Sequence, residues 1–319
     1  MKIKEKRKNQ KGGKGGIREN VIKGNLSFAL LALPGLILLF VFNYLPMGGI
    51  VLAFKKFNVT KGILGSDWID PWYSNFRFFF NSENAWRVTR NTILLNLMFI
   101  VVGTVLCIIF AIMMFYIRKK WCVKTYQTIA IMPSFLSWVV VGYMAYAILA
   151  ENGFMNNIIA SLGKDPVSWY SDPEKWPMIL LCFYIWHGMG YDSLFYYASL
   201  VGIDKSYFEV AALDGATVWQ ELRYIILPSL KQLIIILFIL HIGNIFRGDF
   251  GLFWNLTRNN SLLYSTTDVV DTFIYRSLTQ LQNVGMSTAV GFFQSVVGFV
   301  LILITNAIVK RIDKDSALF

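Results

Sequence analysis

Six long apolar blocks, at about residues 26–54, 91–117, 126–149, 178–201, 229–250 and 287–309, constrain this chain more than any other feature of its sequence. A bilayer core of roughly 30 Å takes about 20 apolar residues in helical conformation. Blocks of that length, without polar alternation, point to helices rather than to a barrel. Composition agrees: 55% of the 319 residues are hydrophobic and 15% are charged, where soluble domains carry about a quarter charged residues. The expectation is an all-α integral membrane protein with six transmembrane helices.

Six spans place both termini on one side of the membrane. The N-terminal tail, Arg118-Lys119-Lys120 with Lys124, and Lys310-Arg311 with Lys314 carry basic clusters on alternate faces, and the positive-inside rule assigns those faces to the cytoplasm. The segment 55–90 opposes this with Lys55, Lys56, Lys61, Arg77, Arg87 and Arg90. The denser N-terminal cluster outweighs it, and Asp67, Asp70 and Glu83 mark that segment as a mixed, folded surface. It is expected outside, as are 151–177 and 251–286. Trp68, Trp72, Trp86, Trp169 and Trp176 near the span ends suit an interfacial belt, with sugar stacking as the alternative. Pro34 and Pro46 are expected to kink or break the first helix, because proline removes a backbone donor.

The net charge of +11 raises the question of nucleic acid, but nine of the thirty Lys/Arg precede residue 25. Residues 1–25 therefore read as a basic cytoplasmic tail, too rich in Lys and Gly to form a core and suited to anionic lipid. Aromatic interleaving of the kind RNA binding uses is missing from it. The run from Leu26 has no small-residue cleavage site and is read as a retained first helix of a domain spanning 26–319. Cys107, Cys122 and Cys182 show no CxxC spacing, so neither a metal knuckle nor a disulfide framework is indicated.

The linker between the fourth and fifth blocks, residues 204–228, holds the most local information. Ser206 with Glu209 has the spacing of a capping box, and Thr217 with Gln220 repeats it, so two short helices are expected. Gly215 lies between them, where a turn with positive φ is easiest. Val218, Leu222, Ile225 and Ile226 recur at helical spacing, giving the second helix an apolar face that needs a partner. Pro228 stands where the next membrane helix begins.

Glu209, Ala211, Gly215, Ile225, Leu227 and Pro228, at these spacings, resemble the EAA-loop signature of permease subunits of binding-protein-dependent ABC importers. One position departs, with Val210 in place of an alanine. Leu33-Pro34-Gly35, Tyr44 to Met47, Met132 to Trp138, Thr267 to Arg276 and Gly291 to Ser295 are similar to the complex-saccharide subfamily, so the resemblance covers nearly the whole chain. It implies the type I importer fold and a cytoplasmic coupling helix. The residues implied to couple to the ATPase are Glu209, Ala211, Ala212, Asp214, Gly215, Ala216, Ile225, Leu227 and Pro228. It also implies a second homologous permease, a cytoplasmic ATPase dimer that binds the ATP and Mg, an extracellular lipoprotein receptor, a saccharide cargo and a bacterial plasma-membrane location. No cofactor is expected on this chain itself.

Polar side chains within apolar spans are candidates for the solute pathway. Trp186, His187, Asp192, Asn244, Arg247 and Gln294 qualify. Arg247 and Asp249 are expected either to neutralise one another or to reach the interface, and Asp192 to meet solute or a partner permease. Trp186 is either packing or a sugar platform. His187 reads as a hydrogen-bonded helix contact rather than a metal ligand, as there is no HExxH. The charge of Arg247 suits an acidic saccharide. A proton-coupled secondary transporter working through Asp192 or Asp249 is the competing reading. An intramembrane enzyme is disfavoured, because GxSxG, HExxH and paired intramembrane carboxylates are missing. No G-x-x-x-x-G-K-[ST] loop is present, so energy must come from a partner.

Overall fold

The structure, a computed structural model, describes residues 30–312; the basic tail and Lys314 lie outside the described residues. The first span, α1 (Leu30–Phe54), changes its winding where proline and glycine demand it. A π-turn over Phe40–Tyr44 precedes Pro46, and from Gly48 to Phe54 the chain tightens into a 3-10 helix. The disruption expected at Pro46 is thus a change of winding spread over several residues, in which wider and tighter turns rearrange the hydrogen bonds around the missing donor, while Pro34 lies within α-helix.

Between α1 and the next span the chain folds as a mixed surface. The strands β1 (Lys55–Lys56) and β2 (Asp67–Trp68) pair antiparallel. Lys55, 5% exposed, donates through Nζ to the carbonyls of Ile63 and Leu64 at 3.1 and 2.8 Å, so its charge is satisfied inside the loop. After α2 (Ser74–Phe80) comes α3 (Glu83–Phe115), the longest helix among the described residues.

The third apolar block is divided. α4 (Lys120–Ile131) ends in a 3-10 turn at Met132–Phe135, and α5 (Trp138–Leu149) restarts where the Ser137 side chain accepts from the Val140 amide. Pro133 cannot continue the α-helix, and Ser137 supplies a new N-cap. With α6 (Phe154–Ser161), the membrane-length stretch runs Trp138–Ser161, and so reaches into the segment expected to be an outer loop.

Among the described residues five stretches are long and apolar enough to cross a membrane: α1, α3, Trp138–Ser161, Val218–Gly243 and Val284–Arg311. The sequence reading expected six. The fourth block does fold as one helix, α7 (Trp176–Val201), of 26 residues, about 39 Å long. Its His, Asp, Ser and Gly residues keep it below the apolarity of the others. It lies among them: Trp176, Leu180 and Leu181 pack with Leu95 and Phe99 of α3 and Val141 and Ala145 of α5, while Tyr196 and Leu200 pack against Cys107 and Ala111 of α3. Packed neighbours cover part of this helix, so polar positions there do not have to face lipid, while Met178, Cys182, Trp186 and Phe195 are exposed. Trp176 is fully buried, with Nε1 donating to Trp169 O at 2.8 Å. It is a core residue rather than the interfacial anchor expected, unlike Trp68, Trp72 and Trp86, which are exposed.

The remaining longer helices are α8 (Lys205–Leu213), α9 (Val218–Gly243), α10 (Phe250–Thr257), α11 (Val270–Thr279) and α12 (Val284–Ile312). α9 stops seven residues before the end of its apolar block, and Asp249 starts α10 by accepting from the Leu252 amide at 3.2 Å. Contacts at the two ends of α3 fix the arrangement. Near its start Arg87 meets Asp268, and just past its end the Tyr116 hydroxyl donates to Glu221 at 2.7 Å. Burial, followed by the Glu221 carboxylate, raises the Tyr116 hydroxyl well above its ordinary value.

Candidate functional site

The helix pair α8 and the start of α9 is assembled almost entirely from local signals. Asp204, not Ser206, is the N-cap of α8: its Oδ1 accepts from the Ser206 amide at 2.9 Å. Asp and Ser rank about equally as N-caps, so position decides: Asp204 precedes the helix while Ser206 already lies within it. That amide holds the Asp204 carboxyl below the usual carboxylate range. At the other end of α8, Gly215 has φ 72°. The Ala216 amide donates back to Ala211 O at 2.9 Å and the Gly215 amide to Ala212 O at 3.2 Å, the two bonds of a Schellman turn. Thr217 and Gln220 then form the expected capping box.

The second helix differs from its expected form beyond that box. Leu222–Ile226 widens into a π-turn before Leu227 and Pro228. Leu222 and Ile226 turn inward against Tyr196, Leu200 and Leu230. Apolar side chains left facing outward include Leu213, Val218, Trp219 and Tyr224, at 88, 54, 80 and 69% exposure. The stripe read from sequence is therefore divided: Leu222 and Ile226 anchor the pair to the bundle and Ile225 is half-buried, whereas Val218 faces out. Of the residues singled out for coupling, Glu209, Ala212, Asp214, Gly215, Leu227 and Pro228 are exposed, and Ala211, Ala216 and Ile225 are half-buried.

The pathway candidates fall into three groups. Asp192 and Asn244 line a cavity of about 220 Å³ between α3, α7 and α9, together with His241, Thr104, Tyr184 and Tyr196. Asn244 Nδ2 also donates to Leu240 O at 3.0 Å. In the second group, His187 stacks on Trp138 at 4.1 Å between ring centres and donates through Nε2 to Leu136 O at 3.0 Å. This is the helix contact anticipated. The Trp138 indole in turn donates to Asp249 Oδ2 at 2.6 Å. Trp186, 41% exposed, stands beside this group on α7. Asp249 thus pairs with an indole, and among the described residues it forms no ion pair with Arg247.

The third group holds the break between α9 and α10. Gln294, 6% exposed, donates through Nε2 to Phe246 O and to the Asp271 carboxylate, which also accepts from the Gly248 amide at 2.6 Å. Its amide is taken up in holding the irregular segment that carries Arg247, which is itself exposed. Trp138 and Asp271 were missed as single residues, although both sit in stretches that carried the family resemblance. Among the described residues no group of His, Cys, Asp and Glu is arranged to hold a metal.

Residues 103–314, which include α7, the hinged pair and α10, match the family described as the binding-protein-dependent transport system inner membrane component. The chain belongs to that family. Protein LplB of Bacillus subtilis (strain 168) is 31% identical over 305 residues, covering 95% of each chain. The polygalacturonan/rhamnogalacturonan transport system permease protein YteP of the same organism is 28% identical over 288 residues, 90% of this chain and 88% of that protein. Among solved structures, a bacterial ABC transporter involved in import of the acidic polysaccharide alginate superposes with a TM-score of 0.83 at 31% identity, covering 93% of this chain and 99% of that one. This inner-membrane component thus shares a multi-span, all-α fold with a transporter of known architecture.

Proposed function

We propose that this inner-membrane component is one of two homologous permeases of a bacterial ABC importer for an oligosaccharide or polysaccharide fragment. Its termini are cytoplasmic, and α7 is the sixth span. The hinged pair at 204–228 is the surface gripped by a cytoplasmic ATPase dimer, and an extracellular lipoprotein receptor delivers the sugar at the opposite end. The observation that carries the coupling assignment is the construction of that pair. It is capped at Asp204 and Thr217, turned at Gly215 and tied to α3 through Glu221, yet Leu213 and Trp219 are left with little of the chain around them. Supporting the cargo class are the relatives named for alginate and for polygalacturonan and rhamnogalacturonan transport.

Gly215→Val tests the hinge. A Cβ at this position meets nothing within 4 Å, so the defect is conformational, about 1–2 kcal/mol for an ordinary side chain in the left-handed region and more for a β-branched one. The expected result is at least a tenfold loss of ATP-driven uptake in proteoliposomes, with unchanged membrane insertion. Gly215→Asn, which tolerates that region, is expected to keep most of the activity. Unaltered uptake by the valine variant would remove the hinge from the mechanism. The ion-coupled alternative would instead place the chemistry at Asp192, in the cavity beside His241, and uptake driven by a proton gradient without any ATPase would establish it.

A further inference from the structure

An open cavity of about 390 Å³ lies between α5 and the C-terminal end of α10, separate from the Asp192 cavity. We infer that it is a binding subsite for a sugar carboxylate, with Arg258 as the group that selects an acidic sugar unit; this rests on the saccharide reading above. Its lining combines one guanidinium (Arg258), two carboxamides (Asn255 and Asn259) and two aromatic side chains (Trp254 and Tyr143). Each answers one part of a uronic acid. The planar guanidinium matches a carboxylate with two parallel hydrogen bonds. Carboxamides donate to and accept from hydroxyls, and an aromatic face suits the apolar face of a pyranose ring. The volume is within the range of small-ligand pockets, about 300–1,000 Å³.

Several observations indicate that this site is held ready. Trp254 is fixed in a row of rings, stacked on Phe250 at 5.4 Å and edge-on to Tyr275 at 4.7 Å. Arg258 lies over the Tyr146 ring at 4.0 Å, which orients a cation without neutralising it. Among the described residues no carboxylate pairs with Arg258. The nearest acid of the following loop, Asp268, is fully buried and taken by Arg276 and Arg87. Asn255 uses Nδ2 on Gly251 O at 2.8 Å, leaving its oxygen to accept. Asn259 uses its oxygen on the Tyr264 hydroxyl at 2.7 Å, leaving its nitrogen to donate. Arg258 and Asn259 are also consecutive left-handed residues, with φ 55° and 50°, a conformation costly for arginine. Gly142 brings the walls together: a Cβ there would stand 2.8 Å from Asn255 O.

The test uses the complete importer in proteoliposomes, with its receptor saturated and preloaded so that receptor affinity drops out of the maximal rate. The probes are a panel of uronic-acid trisaccharides and their carboxyl-reduced, neutral forms. Arg258→Gln, and Arg258→Gly, which also relieves the left-handed strain, are expected to slow maximal uptake of the acidic probes about tenfold, the loss of one charge-assisted pair. Uptake of the neutral forms should be unchanged within about twofold. Undiminished acidic uptake in both variants, or equal loss for acidic and neutral probes, overturns the subsite. So does an unaltered importer that carries only the neutral forms, which leaves the saccharide reading intact. An importer that carries none of the panel but carries another saccharide also overturns the subsite, whereas one that carries no saccharide overturns the saccharide reading itself.

Discussion

Gly190→Ala is expected to abolish most of the folded protein, although it adds a single methyl group. A Cβ at Gly190 would overlap the backbone carbonyl of Ala130, where α7 crosses α4. Backbone cannot turn aside as a flexible side chain can, so the two helices must part. Overpacking a core with flexible neighbours costs about 1–3 kcal/mol, and a clash with a helix backbone exceeds that range. Small residues at such crossings are what allow helices to associate within a bilayer, where there is no hydrophobic drive between them. Gly188→Ala, two residues away, is the internal control: its Cβ would sit 3.6 Å from Asp192 Oδ2, an ordinary contact. The yield of monodisperse detergent-solubilised protein should fall severalfold for the first variant and stay near normal for the second. Equal yields would mean that α4 and α7 are free to separate without consequence.

Asp268→Ala carries the second large effect. The carboxylate is 0% exposed and accepts from Arg276 Nη2 through both oxygens at 2.7 Å, from Arg87 at 3.4 Å and from Thr272 at 2.9 Å. Arg276 is also stacked over Tyr264 at 4.2 Å. Removing the anion leaves a largely buried guanidinium without a counter-charge, a loss of about 3–5 kcal/mol. In a protein of this size that corresponds to a fall of about 10 °C in the unfolding midpoint. The double variant Asp268→Ala with Arg276→Met is expected to recover part of that fall, since the orphaned charge goes with its partner. No recovery would show that the loss is one of backbone geometry rather than charge. Increased hydrogen exchange should be confined to residues 263–279, which Asn91 and Thr92 of α3 also hold through Asp268 O and the Val270 amide.

The stretch from Thr267 to Arg276 illustrates how much of the molecule was legible in advance. As sequence it stood out by family resemblance alone; in the folded protein it is a polar lock reaching residues some 180 positions away. The hinged pair was more fully readable. Its turn at Gly215 and its box at Thr217 and Gln220 follow from contacts within a few residues, and the first cap was displaced only from Ser206 to Asp204. The membrane blocks were readable in length but not in outline. Pro133 and Ser137 divided the third, and the polar content of α7 left five strongly apolar spans where six were expected.

The order of residues by itself determined the helical, membrane-spanning character of the chain, its punctuation by proline, glycine and capping side chains, and its family. These depend on runs of apolar residues and on hydrogen bonds between near neighbours. Tertiary structure alone decided which polar groups are occupied and which remain available. Gln294 is taken up by Phe246 and Asp271, His187 by Leu136 and Trp138, and Trp176 by the core, whereas Asp192 and Arg258 face cavities. The reason is physical: a hydrogen bond or ring contact between helices depends on which faces the crossings bring together, and no local spacing encodes that choice.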